Sequence, residues 1–156
     1  MTDEIRMVPI EAWHLAEIDM QDMQAYAAEQ CKDPRYRVMV AQAGGVTMLI
    51  DHGKDKKPTI ICCCGIIKID KGVGVTYACL SKVFPKYAVR VTRAVKKYLE
   101  NALAHDFHRI ETQADVNFPE SNRWNKMLGF KYEYTKKQAT AYRQDVNMYA
   151  MIREGD

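Results

Sequence analysis

Glycine is the first scarcity. The 156 residues hold eight glycines and five prolines, and no glycine falls between Val75 and Leu128. That composition excludes a collagen-like or low-complexity chain, and it keeps Gly-rich phosphate loops out of the middle of the sequence. No Walker loop, dinucleotide fingerprint, Gly-x-Ser-x-Gly elbow or paired Cys-x-x-Cys occurs. There is no run of 18 apolar residues, so neither a membrane span nor a membrane partner is expected. The opening M-T-D-E-I-R-M is acidic and lacks an apolar segment, so no secretory signal is expected. Charge of one sign is also short: 23 Lys and Arg against 20 Asp and Glu leave +3, too little to argue for nucleic acid.

Cysteine is odd in number. Cys31, Cys62, Cys63, Cys64 and Cys79 make five, which is no disulfide framework. Neighbours on a strand point to opposite faces, so the three adjacent sulfurs do not converge on a metal. They read as small apolar side chains on a buried strand in a reducing, cytoplasmic setting. His105 and His108 bring no further ligands with them, and no metal site is expected.

What is present is ordinary for a globular chain: 47% apolar and 28% charged residues. The length suits a single domain over residues 1–156. Alternation predicts a strand at Ile5–Val8. Helical spacing predicts helices over Glu11–Asp19 and Gln21–Cys31. Asp33-Pro34 is a helix start, so Arg35–Ala43 reads as a helix, with a strand as its alternative because Val38 and Val40 are β-branched. Val46–Asp51, Thr59–Ile69 (with a bulge at Gly65) and Val73–Leu80 read as an antiparallel meander, turning at Asp70-Lys71-Gly72. Tyr87–Ala104 has the clearest helical period, on Val91, Ala94, Val95, Tyr98, Leu99, Ala102 and Leu103. Strands are predicted at Arg109–Val116, Lys131–Thr135 and Val146–Ile152, a helix at Glu120–Leu128, and a polar linker at Lys136–Asp145. A strand, a long helix and a strand make a crossover, so Val73–Leu80 and Arg109–Val116 are expected to run parallel. The fold class is α/β (α+β): a mixed, mostly antiparallel sheet with helices on both faces and a central parallel β-α-β crossover.

The stretch R-I-E-T-Q-A-D-V-N-F-P-E-S-N-R-W-N-K-M-L-G-F-K-Y-E-Y begins at Arg109. It delivers Asp115 and Asn117 to the end of a strand, then an Asn-bearing helix, then a Gly129-Phe130 turn. This order resembles the GNAT superfamily of N-acetyltransferases, where such a segment builds one wall of an acyl-coenzyme A cleft. The resemblance extends to the derived element order over nearly the whole chain. It implies transfer of an acetyl group from acetyl-CoA to a small-molecule or protein amine, with the two parallel strands splayed around the thioester. More loosely, Asn117, Ser121, Arg123, Leu128 and Gly129 resemble GNAT-like internal virion proteins of short-tailed phages. That implies a structural or assembly role with a phage virion or host protein partner.

The resemblance also assigns roles. In the family, coenzyme A pyrophosphate sits on backbone N–H groups at the start of the long helix, where the helix dipole favours an anion. The family's Q/R-x-x-G-x-G/A signature is replaced here by Ser81-Lys82-Val83-Phe84-Pro85-Lys86-Tyr87-Ala88-Val89-Arg90. Lys82, Lys86, Tyr87 and Arg90 are the cofactor candidates there, and the Leu80 N–H is the candidate to polarise the thioester carbonyl. Asn117, Ser121, Asn122 and Asn125 are candidates for the pantetheine arm; alternatively Asn117, followed by Pro119, is a loop and helix-entry residue, and Asn122 and Asn125, neighbours at i and i+3, face water. Glu111 or Asp115 would act as base, through water. The family's acid is often a Tyr four residues before the glycine of the turn. Asn125 stands there, which leaves Tyr132 or Tyr134 as the substitute.

Overall fold

The computed structural model describes residues 4–155. The elements, in order, are β1 (Ile5–Pro9), α1 (Ala12–Glu17), a 3-10 turn (Asp22–Gln24), α2 (Ala25–Gln30), α3 (Pro34–Ala43), β2 (Val46–Ile50), β3 (Thr59–Asp70), β4 (Val73–Leu80), α4 (Phe84–His105), β5 (Arg109–Asp115), α5 (Pro119–Met127), β6 (Lys131–Lys136) and β7 (Val146–Ile152). The strands form one sheet in the order β1-β2-β3-β4-β5-β7-β6. It is mixed and mostly antiparallel, with helices flanking it. Its parallel pair is β4 with β5, in a register that runs from Val73↔Arg109 to Val75↔Glu111. One residue further on, the Thr76 hydroxyl donates to Thr112 Oγ1 at 2.7 Å. No helix among the described residues is long and apolar enough to cross a membrane.

Local chemistry explains most boundaries. At α3 the Asp33 carboxylate accepts the Arg35 N–H at 2.9 Å with Pro34 in the first turn, and this cap prevails over the β-branching of Val38 and Val40. The long helix begins at Phe84, three residues before the expected Tyr87. Pro85 is harmless in a first turn, where its missing N–H has no partner to lose, and both Phe84 and Tyr87 are buried. Its buried positions Tyr87, Val91, Val95, Leu99 and Ala102 fall every three or four residues.

Two expectations are corrected. The bulge lies at Ile61, not Gly65: Met48 pairs with Cys62 and Leu49 with Ile60. Gly65 serves close approach instead, because a Cβ there would stand 2.8 Å from the Gly44 carbonyl oxygen and from the Tyr77 ring. The second correction concerns Glu11–Asp19 and Gln21–Cys31. Helix stops at Glu17, and Ile18 is extended (φ −66°, ψ 128°). Beyond it Met20 forms an antiparallel bridge with Ser81. Pairing with a strand end has overridden the helical spacing.

The chain forms two compact units. The first runs to Ile66 and includes Tyr77–Val91; the second holds Ile67–Thr76 and the chain from Thr92 onward. The first has its own core of Ile10, Leu15, Ile18, Val40 and Ile60, with Cys31, Cys63 and Cys79 among them. In the second, Ile110, Ala114, Leu128, Phe130, Tyr149 and Ala150 are buried.

Candidate functional site

In the first unit the candidates cluster at the end of β4. The Ser81 N–H is donated to the Ile61 carbonyl of β3 at 3.0 Å. Successive residues of a strand face opposite sides, so Leu80 directs its N–H and C=O away from β3. There the segment from Asp19 to Gln24 lies along the strand as a strap. The Gln21 N–H donates to the Leu80 carbonyl and the Lys82 N–H to the Asp19 carbonyl, each at 2.9 Å. The Gln24 carboxamide then spans two groups of β4: its Nε2 donates to the Ala78 carbonyl at 2.7 Å, and its Oε1 accepts the Leu80 N–H at 2.6 Å. Lys82 is drawn into the same strap, its Nζ 3.5 Å from the Asp19 carboxylate and 3.9 Å from that of Asp22. Lys86 and Arg90 are exposed on the first turns of α4, and Lys86 Nζ stands 5.4 Å from the centre of the Tyr87 ring. The Ser81 hydroxyl is buried with no hydrogen-bond partner, an arrangement that costs about 1–3 kcal/mol.

In the second unit the end of β5 gathers Asp115, Asn117 and Asn122. The Asp115 carboxylate accepts the Asn117 N–H at 2.8 Å, closing an Asx-type turn. Asn122 uses its amide fully. Its Nδ2 donates to the carbonyls of Asp115 and Phe118, each at 2.9 Å. Its Oδ1 accepts the Asn147 amide at 2.8 Å and the Tyr149 hydroxyl at 2.5 Å. Asn122 therefore does not simply face water; it brackets α5 to β5 and β7. Asn125 is buried and Ser121 half-buried on α5. Burial raises the pKa of the Tyr149 hydroxyl.

Glu111 and Tyr132 sit elsewhere in that unit. Glu111 accepts Arg109 Nε at 2.9 Å, and Arg109 also binds the Glu133 carboxylate through Nη1 at 3.0 Å and through Nη2. The hydrogen bond to Glu133, then that to Glu111, raises the guanidinium pKa, and the same bond lowers that of Glu133. Tyr132 is exposed on β6, 2.8 Å from Thr135 Oγ1, with its ring edge-on to Tyr149. It lines an open groove of about 750 Å³ whose other walls include Lys96, Glu100, Glu133 and Arg153.

All five cysteines are free and buried, and burial pushes the Cys63 thiol up to about 12. No group of His, Cys, Asp or Glu among the described residues is arranged to hold a metal. Sequence reasoning missed Gln21 and Gln24, because their partners lie more than 50 residues away. It also missed Tyr149 and Asn147, which read as ordinary strand residues.

No protein-family model matches the sequence, and no curated protein matches it. Solved structures do match in fold. One, from Acinetobacter baylyi ADP1 and described as an acetyltransferase, has a TM-score of 0.76 at 11% identity, covering 100% of this chain and 97% of its own. A GNAT-family acetyltransferase of Bacillus anthracis has a TM-score of 0.70 at 15% identity, covering 99% and 98%. RimL, a ribosomal-protein alpha-N-acetyltransferase in complex with coenzyme A, has a TM-score of 0.68 at 16% identity, covering 100% and 97%. The chain has the GNAT fold. The looser resemblance to phage virion proteins finds no support among these comparisons.

Proposed function

We propose that this protein is a GNAT-type N-acetyltransferase that uses acetyl-CoA and acts in the cytoplasm on a small-molecule or protein amine. One observation carries the reading: the end of β4 turns a carbonyl (Ala78) and an N–H (Leu80) outward, and the group already lying on them is an amide. A pantetheine arm is itself a chain of amides, so the edge fits it. The buried, partnerless Ser81 hydroxyl beside this edge is a second polar group suited to a ligand. Lys82, Lys86, Tyr87 and Arg90 at the helix start would hold the phosphates. Free, buried thiols fit a reducing compartment.

Acetyl-CoA supplies an acetyl group activated as a thioester, so an amine nitrogen forms the new C–N bond as the C–S bond breaks, and the proton shed by the amine ends on the sulfur. Of the two candidate bases, Glu111 is ion-paired with Arg109, whereas Asp115 holds only a loop N–H. Asp115 is therefore the proposed base, through water. The test is calorimetric titration with acetyl-CoA, followed by mass spectrometry of an amine panel. Binding and acetylated product are expected, with Asp115→Asn slowing turnover roughly 100-fold or more. No heat at millimolar acetyl-CoA, together with no product, sinks the proposal.

A second reading keeps the fold without the reaction, the notion behind the looser phage resemblance. The commitment of the Leu80 N–H to Gln24 favours the loss of the reaction. Recovery of the protein in purified particles, with no acetylation of any amine, supports this reading over the first.

A further inference from the structure

Gln24 occupies the very groups that the transferase reading requires, and it does so from within the chain. We infer that the Asp19–Gln24 strap is an autoinhibitory latch, in which the Gln24 carboxamide competes with the amide-bearing arm of an acyl-thioester for the β4 edge. The inference rests on the transferase reading and adds a regulation to it.

The strap engages a run of polar groups on the outward side of the strand end. The Ala78 carbonyl takes Gln24 Nε2, the Leu80 N–H gives to Gln24 Oε1, and the Leu80 carbonyl takes the Gln21 N–H. The Lys82 N–H gives to the Asp19 carbonyl, and the Gln21 side chain reaches the Ser81 carbonyl at 3.3 Å. A carboxamide that bridges a carbonyl and the N–H two residues on does what a residue of a paired strand does. Ligand and latch therefore cannot both be made at Leu80, since one N–H serves one strong acceptor.

The strap also holds Lys82. Its ammonium lies between the Asp19 and Asp22 carboxylates, both on exposed positions. Solvent screens these pairs, so they hold Lys82 loosely. An anionic ligand at the start of α4 would compete for the same ammonium, and release of Lys82 would loosen the strap at its other end. The latch is thus opposed by two features of one ligand: an amide arm at Leu80 and negative charge at Lys82.

The test compares wild type, Gln24→Ala and Gln24→Glu, each checked for folding by circular dichroism. Acetyl-CoA affinity is measured by calorimetry, and exchange of the Leu80 amide by NMR without ligand. Removing the carboxamide should speed Leu80 exchange and tighten acetyl-CoA about ten-fold, the worth of one to two amide hydrogen bonds. Gln24→Glu keeps the acceptor for Leu80 but sets an anion against the Ala78 carbonyl, so its affinity should fall between the other two. Equal affinities in all three overturn the latch and leave the transferase reading standing. A Gln24→Ala chain with fast Leu80 exchange that still binds no acetyl-CoA overturns the transferase reading, and the competition with it.

Discussion

His14 illustrates how one side chain does a job its sequence position does not announce. It stands at the third position of α1, where a Glu or Gln often completes a capping box. Its Nδ1 accepts the Glu11 N–H at 2.9 Å and lies 2.8 Å from Thr47 Oγ1. The ring proton is thereby assigned to Nε2, 3.7 Å from the Glu11 carboxylate. Burial of the ring lowers its pKa below 6.5, and the nearby Glu11 charge only partly opposes that. A lowered histidine pKa means the unfolded chain takes up its proton first as the pH falls. Stability from this group is therefore complete above about pH 6.5 and declines from there toward the folded-state pKa. Urea unfolding from pH 5 to 8 should show that decline in wild type, and His14→Gln should flatten it. An unchanged slope in the variant refutes the assignment.

Elements differ in how much of their placement was local. The period of α4, the Asp33-Pro34 start of α3 and the Asp70–Gly72 turn all rest on neighbours in sequence, and all were legible. In that turn the Lys71 N–H binds Asp70 Oδ1 at 2.7 Å, and a Cβ on Gly72 (φ +73°) would stand 2.3 Å from the His108 ring. The strap was not legible, since Met23, Tyr26 and Ala27 continue a helical spacing across it. The groups that broke the helix belong to β4, more than 50 residues on. The Asn122 bracket is similar: Asn117 and Asn122 look alike in sequence, yet only one of them ties three elements together. Asn122→Ala leaves the Tyr149 hydroxyl and the Asn147 amide without their acceptor, while the Asp115 and Phe118 carbonyls keep the Phe118 and Asn122 N–H groups, and it should cost about 3 kcal/mol. Asn117→Ala, in an exposed loop, should stay within about 0.5 kcal/mol. Chemical denaturation distinguishes them, and equal effects would refute the bracket.

For the protein as a whole, all five thiols fall in the first compact unit and all are buried. A thiol pushed up to about 12, as Cys63 is, carries almost no reactive thiolate at neutral pH. Burial keeps the reagent from all five, so mass spectrometry with a maleimide should find no adduct on the native protein and five after urea, and labelling times the opening of that unit. Fast native labelling would contradict the burial. The residue pattern alone settled the fold class, the crossover and the polar cluster at Asp115–Asn117, because periodicity, caps and turns act between near neighbours. Only tertiary structure decided what the β4 edge meets. A strand's N–H and C=O groups are the same for every residue type, so their partner is chosen by which distant segment folding brings alongside.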